Sequence, residues 1–145
     1  MSKPIQRFSG KNAFLSNFEP CGVYVDGMLY TSVEHAFQAS KTFDIREREF
    51  IAHTESPNEA KKLGRKVKLR EDWESVKGQI MLDLLRQKFK YTRLRDLLLA
   101  TGDAELIEGN TWGDKFWGVC NGEGKNMLGK FLMQVRTEIR NEDNK

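Results

Sequence analysis

The sequence changes its period once, sharply, and that change limits the folds open to it. Val23-Tyr24-Val25 and Met28-Leu29-Tyr30 are apolar-rich triplets separated by Asp26-Gly27. Glycine at the second turn position accepts the positive φ that a type I′ turn demands, so the two triplets are expected to pair as a β-hairpin. The first thirty residues read as extended. From residue 31 the spacing becomes helical. Thr31 precedes Glu34 by three residues, a capping-box spacing that predicts a helix through Lys41 with Val33, Ala36, Phe37 and Ser40 toward the core. Ser56-Pro57-Asn58-Glu59 is a second start signal, for a helix ending near Gly64. Further helices are expected from about Asp72 to Phe89, near Leu94 to Ala100 with a stop at Gly102, and from about Met127 to Arg140. The expected class is α+β, mostly helical, with a small antiparallel β element near the N-terminus.

A chain of 145 residues with 39% hydrophobic and 31% charged residues can bury one ordinary core, and no repeat, linker or low-complexity tract suggests a second. A single domain over residues 1–145 is expected. No signal-peptide pattern and no apolar run of membrane-spanning length is present, so a cytoplasmic protein with no membrane association is expected. Cys21 and Cys120 lie far apart without CxxC spacing, and His35 and His53 form no HxxxH pair. Neither a disulfide framework nor a dedicated metal centre is expected, and no cofactor is called for. Chemistry must then rest on carboxylates, amides, lysines and aromatics. The net charge of +3 suits a phosphate-bearing ligand but falls short of a clustered nucleic-acid footprint.

Glu34, Gln38 and Lys41 fall at i, i+4 and i+7, which puts a carboxylate, an amide and an amine on one face of the first helix. The same spacing fits a capping glutamate paired with its neighbours on an exposed surface, and spacing does not decide between the two. Asn17-Phe18 offers an amide and a ring to a heterocycle, although turns before proline use such residues routinely. Between Glu108 and Asn126 runs a stretch rich in glycine and tryptophan, too apolar for solvated filler and too glycine-rich for a helix. Within it Trp112, Trp117, Asp114 and Asn126 fit a ligand-stacking loop. They fit equally a tryptophan-plugged core with Asp114 capping the loop.

Leu15-Ser16-Asn17-Phe18, the run from Ser32 to Lys41, Ala60-Lys61-Lys62-Leu63-Gly64-Arg65, Trp112-Gly113-Asp114-Lys115-Phe116-Trp117-Gly118 and the run from Asn126 to Met133 together resemble the NADAR, or YbiA-like, family. The resemblance extends from about Phe8 to Arg140. It implies an N-glycosidase acting on ribosylated or ADP-ribosylated bases, with members linked to removing ADP-ribose from guanine in DNA and others to breaking down early riboflavin-pathway intermediates. The implied partner is that base substrate, free or carried in DNA, with no obligatory protein partner. Cleaving a base N-glycoside passes through an oxocarbenium-like sugar, which calls for negative charge near the anomeric carbon, a positioned water and help for the departing nitrogen. On that reading Glu34 is the principal carboxylate and Asp114 the second. Lys41 opens a covalent route through a Schiff base, which needs a depressed amine pKa that Glu34 close by would oppose. Phe18, Trp112 and Trp117 would sandwich a base, and Asn17, Gln38 and Asn126 would hydrogen-bond ribose or base edges. A non-catalytic module that binds NAD or ADP-ribose would share the aromatic and amide positions, but has no need of a carboxylate beside an anomeric carbon.

Overall fold

The computed structural model describes residues 3–143, and the chain divides into two units, one of Asn17–Lys88 and one formed by the segments before and after it. The fold is α+β and mostly helical, as expected.

In the Asn17–Lys88 unit, β1 (Pro20–Val25) and β2 (Met28–Ser32) form the antiparallel hairpin, with Val23 opposite Tyr30, Tyr24 opposite Leu29 and Val25 opposite Met28. Both turn residues have positive φ, 50° at Asp26 and 81° at Gly27, as a type I′ turn requires. Opposed residues share a face: Val23 and Tyr30 are buried, whereas Tyr24 and Leu29 are exposed. The turn is tied down by Arg48, whose Nη1 donates to Asp26 Oδ2 at 2.7 Å and whose Nε donates to Thr42 O at 2.7 Å. Gln87 brackets the outer edge of β1, accepting from Tyr24 N–H and donating to Tyr24 O, both at 2.8 Å.

Four helices follow: α1 (Val33–Ala39), α2 (Ile45–Ala52), α3 (Pro57–Gly64) and α4 (Trp73–Lys88). The cap of α3 is the expected one, Ser56 Oγ accepting from Glu59 N–H at 3.1 Å with Pro57 in the first turn. The cap of α1 is not. Strand β2 runs through Thr31, and Ser32 takes the N-cap position, its Oγ accepting from His35 N–H at 3.1 Å. Glu34 therefore stands one position too early to close a capping box. At the other end α1 stops at Ala39, two residues before Lys41, with Ser40 as its C-cap. Helix α2 has no counterpart in the periodicity. Ile45 and Phe50 are exposed on it while Arg48 and Ile51 are buried, so no apolar stripe runs along it, and only the Asp44 N-cap marks its start.

In the other unit a 3₁₀ helix over Gly10–Leu15 interrupts the stretch expected to be extended. Ile5 pairs with the chain near Leu106, its N–H donating to Glu105 O and its carbonyl accepting from Ile107 N–H, both at 2.8 Å. Helix α5 (Thr92–Ala100), two-residue parallel strands β3 (Gly109–Asn110) and β4 (Val119–Cys120), and α6 (Met127–Asp143) complete it. Leu128, Leu132, Val135 and Ile139 supply the buried stripe of α6. Among the described residues no helix is long and apolar enough to cross a membrane.

His35 joins hairpin to helices and fixes a pH response. Its Nε2 lies 3.2 Å from Thr54 O, which can only accept, and its Nδ1 lies 2.6 Å from Ser32 Oγ, which can donate. The neutral ring with its proton on Nε2 satisfies both partners. Burial lowers its pKa from 6.5, so the unfolded chain binds the proton more readily. Stability should therefore fall as pH drops below about 6.5, with a slope of up to about 1.4 kcal/mol per pH unit until the folded-state pKa is reached. Urea melts at a series of pH values should show this loss, and His35→Gln should remove the part of the slope that His35 contributes.

Candidate functional site

Helix α1 is buried on every side, its polar residues Glu34, His35 and Gln38 included: Glu34 is 9% exposed and Gln38 5%. The stripe read from spacing is therefore not a solvated surface. Gln38 Nε2 donates to Glu34 Oε2 at 2.6 Å, which fixes the carboxylate and orients the amide, because a carboxylate accepts and cannot donate. Glu34 N–H, left free by its place in the first turn, donates to Asn17 O at 3.0 Å. Asn17 Nδ2 approaches Met81 Sδ at 3.7 Å, and its Oδ1 is buried with no hydrogen-bond partner among the described residues. Phe18 beside it is 40% exposed.

Lys41 lies in the turn after α1, held by its N–H to Gln38 O at 3.2 Å and by its carbonyl, which accepts from Arg70 N–H at 2.7 Å. Its Nζ lies 6.0 Å from the centroid of the Trp73 ring, which in turn packs on Phe37 at 5.0 Å. Burial lowers the amine's pKa from 10.5. Glu34 pulls it upward, and Arg65, Lys61 and Lys77 push it down again. Glu34 thus opposes the depression, as expected, without reversing it. Glu34, Gln38, Lys41, Asn17 and Phe18 all belong to the Asn17–Lys88 unit.

The glycine- and tryptophan-rich loop belongs to the other unit, and much of its polar chemistry holds its own shape. Asp114 Oδ1 accepts from the backbone N–H groups of Phe116 at 3.1 Å and Trp117 at 2.9 Å. Asn110 clasps the Asp114 backbone from both sides, accepting from its N–H at 3.0 Å and donating to its carbonyl at 2.8 Å. Asn126, at φ 54°, accepts from Glu108 N–H at 2.9 Å and donates to Leu106 O at 2.9 Å, so both ends of its amide serve backbone. Trp117 packs edge-on against Phe116 at 4.7 Å and beside Phe131 at 6.4 Å, whereas Trp112 is 62% exposed next to Gly113 at φ 87°. Sequence reasoning singled out Asp114 and Asn126 but not Asn110, which differs from them by no signal readable in the chain. Among the described residues no cluster of three or more His, Cys, Asp or Glu side chains could hold a metal ion.

A buried carboxylate held by an amide, with an amine of lowered pKa in electrostatic reach, is a combination found at reactive centres and in structural ion-pair networks alike. The chain belongs to the NADAR family: the NADAR domain model matches residues 5–140. It is 45% identical over 128 residues to N-glycosidase YbiA of Shigella boydii serotype 4 (strain Sb227), a match covering 86% of this chain and 79% of that one. A riboflavin biosynthesis protein of Vibrio vulnificus (strain YJ016) is 38% identical over 97% of this chain, which spans only 40% of that longer protein. The NMR structure of the E. coli protein YbiA superposes with a TM-score of 0.86 at 39% identity, covering 100% of this chain and 90% of that one.

The loop geometry makes Asn126 a structural staple. Asn126→Ala leaves the Glu108 N–H and the Leu106 carbonyl without their partners and places alanine at positive φ. It should cost about 2–4 kcal/mol in a denaturant melt.

Proposed function

We propose that the protein is an N-glycosidase that hydrolyses the bond between a ribose carbon and a base nitrogen, with Glu34 as its essential carboxylate. The observation that carries this reading is the buried Glu34–Gln38 hydrogen bond at 2.6 Å, in electrostatic reach of Lys41. The names of the relatives, N-glycosidase and riboflavin biosynthesis protein, support it. The substrate class we assign is an N-ribosyl base bearing phosphate, either an ADP-ribosylated guanine or a ribosylamino-pyrimidine phosphate. The cations gathered about Lys41, namely Arg65, Lys61 and Lys77, favour such an anion.

In the direct route Glu34 accepts a proton from water as the water oxygen bonds to the anomeric carbon. The carbon–nitrogen bond breaks with its electron pair leaving on the base, and the base nitrogen is protonated. The products are the free sugar and the free base. Asn17 Oδ1, buried and unpartnered, suits a donor on the substrate, and Phe18 offers a ring face. We assign Asp114 to loop shape rather than to chemistry, since two backbone N–H groups already occupy its Oδ1.

The lowered pKa of Lys41 favours a second route. Its neutral Nζ bonds to the anomeric carbon as the base departs, the ring oxygen takes up a proton as the sugar opens to a Schiff base, and water hydrolyses that bond to release sugar and amine.

Incubation with each substrate class and mass identification of the released base tests the activity, and no release from any of them overturns it. Glu34→Gln should lower kcat by about a thousandfold or more while ligand affinity changes little, because the amide keeps the shape without the charge. Borohydride added during turnover separates the routes. A sugar adduct on the peptide containing Lys41 establishes the covalent one, and its absence leaves the direct one. In the covalent route the rate should rise with pH through a value below the 10.5 of an ordinary lysine.

A further inference from the structure

Helix α3 ends in a glycine that its backbone does not require. Gly64 is buried and is not among the positive-φ glycines, and glycine in a helix costs about 0.5–1 kcal/mol relative to alanine. Space explains it. A Cβ at Gly64 would stand 1.9 Å from Gln38 Oε1, 2.7 Å from Gln38 Cδ and 3.0 Å from Gln38 Cβ. The carboxamide of Gln38 fills the volume that any other residue at 64 would occupy.

That carboxamide is otherwise held at one end only. Its Nε2 donates to Glu34 Oε2, and its Oε1 has no hydrogen-bond partner among the described residues. The vacancy at Gly64 is therefore what lets the amide sit back far enough to present Nε2 to the carboxylate. We infer that Gly64 is a positioning residue, acting through Gln38 to set the place of the Glu34 carboxylate. The inference rests on the reading of Glu34 as the essential carboxylate. The same helix carries Lys61, and Arg65 follows it directly. Both lower the Lys41 pKa, so the end of α3 bears on both reactive groups.

A structural role and a positioning role predict different costs. The closest approaches, to Oε1 and Cδ, are to the far end of a flexible side chain, which can turn aside at the cost of its hydrogen bond to Glu34, and a carboxylate that loses that donor loses its alignment with the anomeric carbon. In the full chain Gly64→Ala should lower the thermal midpoint no further than Gln38→Ala does and keep a near wild-type KM, while kcat falls about tenfold or more. Gln38→Ala should lower kcat similarly. Gly64→Ala added to it should change kcat little further, because the colliding carboxamide is gone. Wild-type kcat in Gly64→Ala, or full multiplication of the two losses in the double variant, overturns the inference. The side-chain amide resonances of Gln38 give a readout independent of turnover and should shift in Gly64→Ala. If they do not, the inference fails whatever the activity; if they shift while the wild-type chain cleaves no N-glycoside, it is the enzymatic reading that fails.

Discussion

A carboxylate buried in a helix must be compensated where it stands, and α1 is organised around that requirement. Glu34 is nearly out of water, and an ionised carboxylate taken there without partners would neutralise or expel itself. Gln38, one turn on, supplies a donor at 2.6 Å, and Lys41 supplies a charge in electrostatic reach. Neighbouring elements give way to this arrangement. Helix α3 dispenses with a side chain at Gly64, the segment before β1 lends the Asn17 carbonyl to Glu34 N–H, and β2 hands over to α1 through Ser32.

What could be read from the sequence is what local chemistry decides. The Asp26-Gly27 turn needs positive φ at both residues, and Ser56-Pro57 makes a helix start by itself, so both were visible in the chain. The start of α1 was visible only to within a residue, because Thr31 and Ser32 are equally good caps and the strand reaching Ser32 chooses between them. Helix α2 was hidden because, of its two interior residues, Ile51 stands alone as an apolar one and the other is an arginine held by Asp26 and Thr42. The site divides in the same way. The line of Glu34, Gln38 and Lys41 follows from helical spacing, although Lys41 turns out to stand just past the helix end. That the stripe is buried depends on helices far along the chain, and the reason for a glycine at 64 lies in a glutamine on another helix. In the loop, aspartate and asparagine are the residues both of ligand binding and of backbone capping, so composition could not separate the two uses of Asp114 and Asn126.

At Lys41 opposing influences act on one amine. A carboxylate nearby stabilises the protonated amine, and from the sequence that was reason to doubt a nucleophilic lysine. Burial is the larger influence, and three further cations act in the same direction, so the net result is a pKa below the 10.5 of an ordinary lysine. On the proposed reading, a held carboxylate and an amine of lowered pKa are the parts that the two routes of glycoside cleavage would draw on. The partition between them is then a matter of which group lies nearer the anomeric carbon of a bound sugar.

The bracket that Gln87 places on Tyr24 reaches beyond the hairpin itself. A two-stranded ribbon exposes unpaired donors and acceptors along each flank, and such flanks recruit strands from other molecules. The side-chain amide of Gln87 offers one donor and one acceptor at the spacing of a peptide unit, so at Tyr24 it counterfeits a third strand one residue long. A strand from a second copy that approached this flank would find its central rung already taken, which protects a small ribbon against growing into an aggregate.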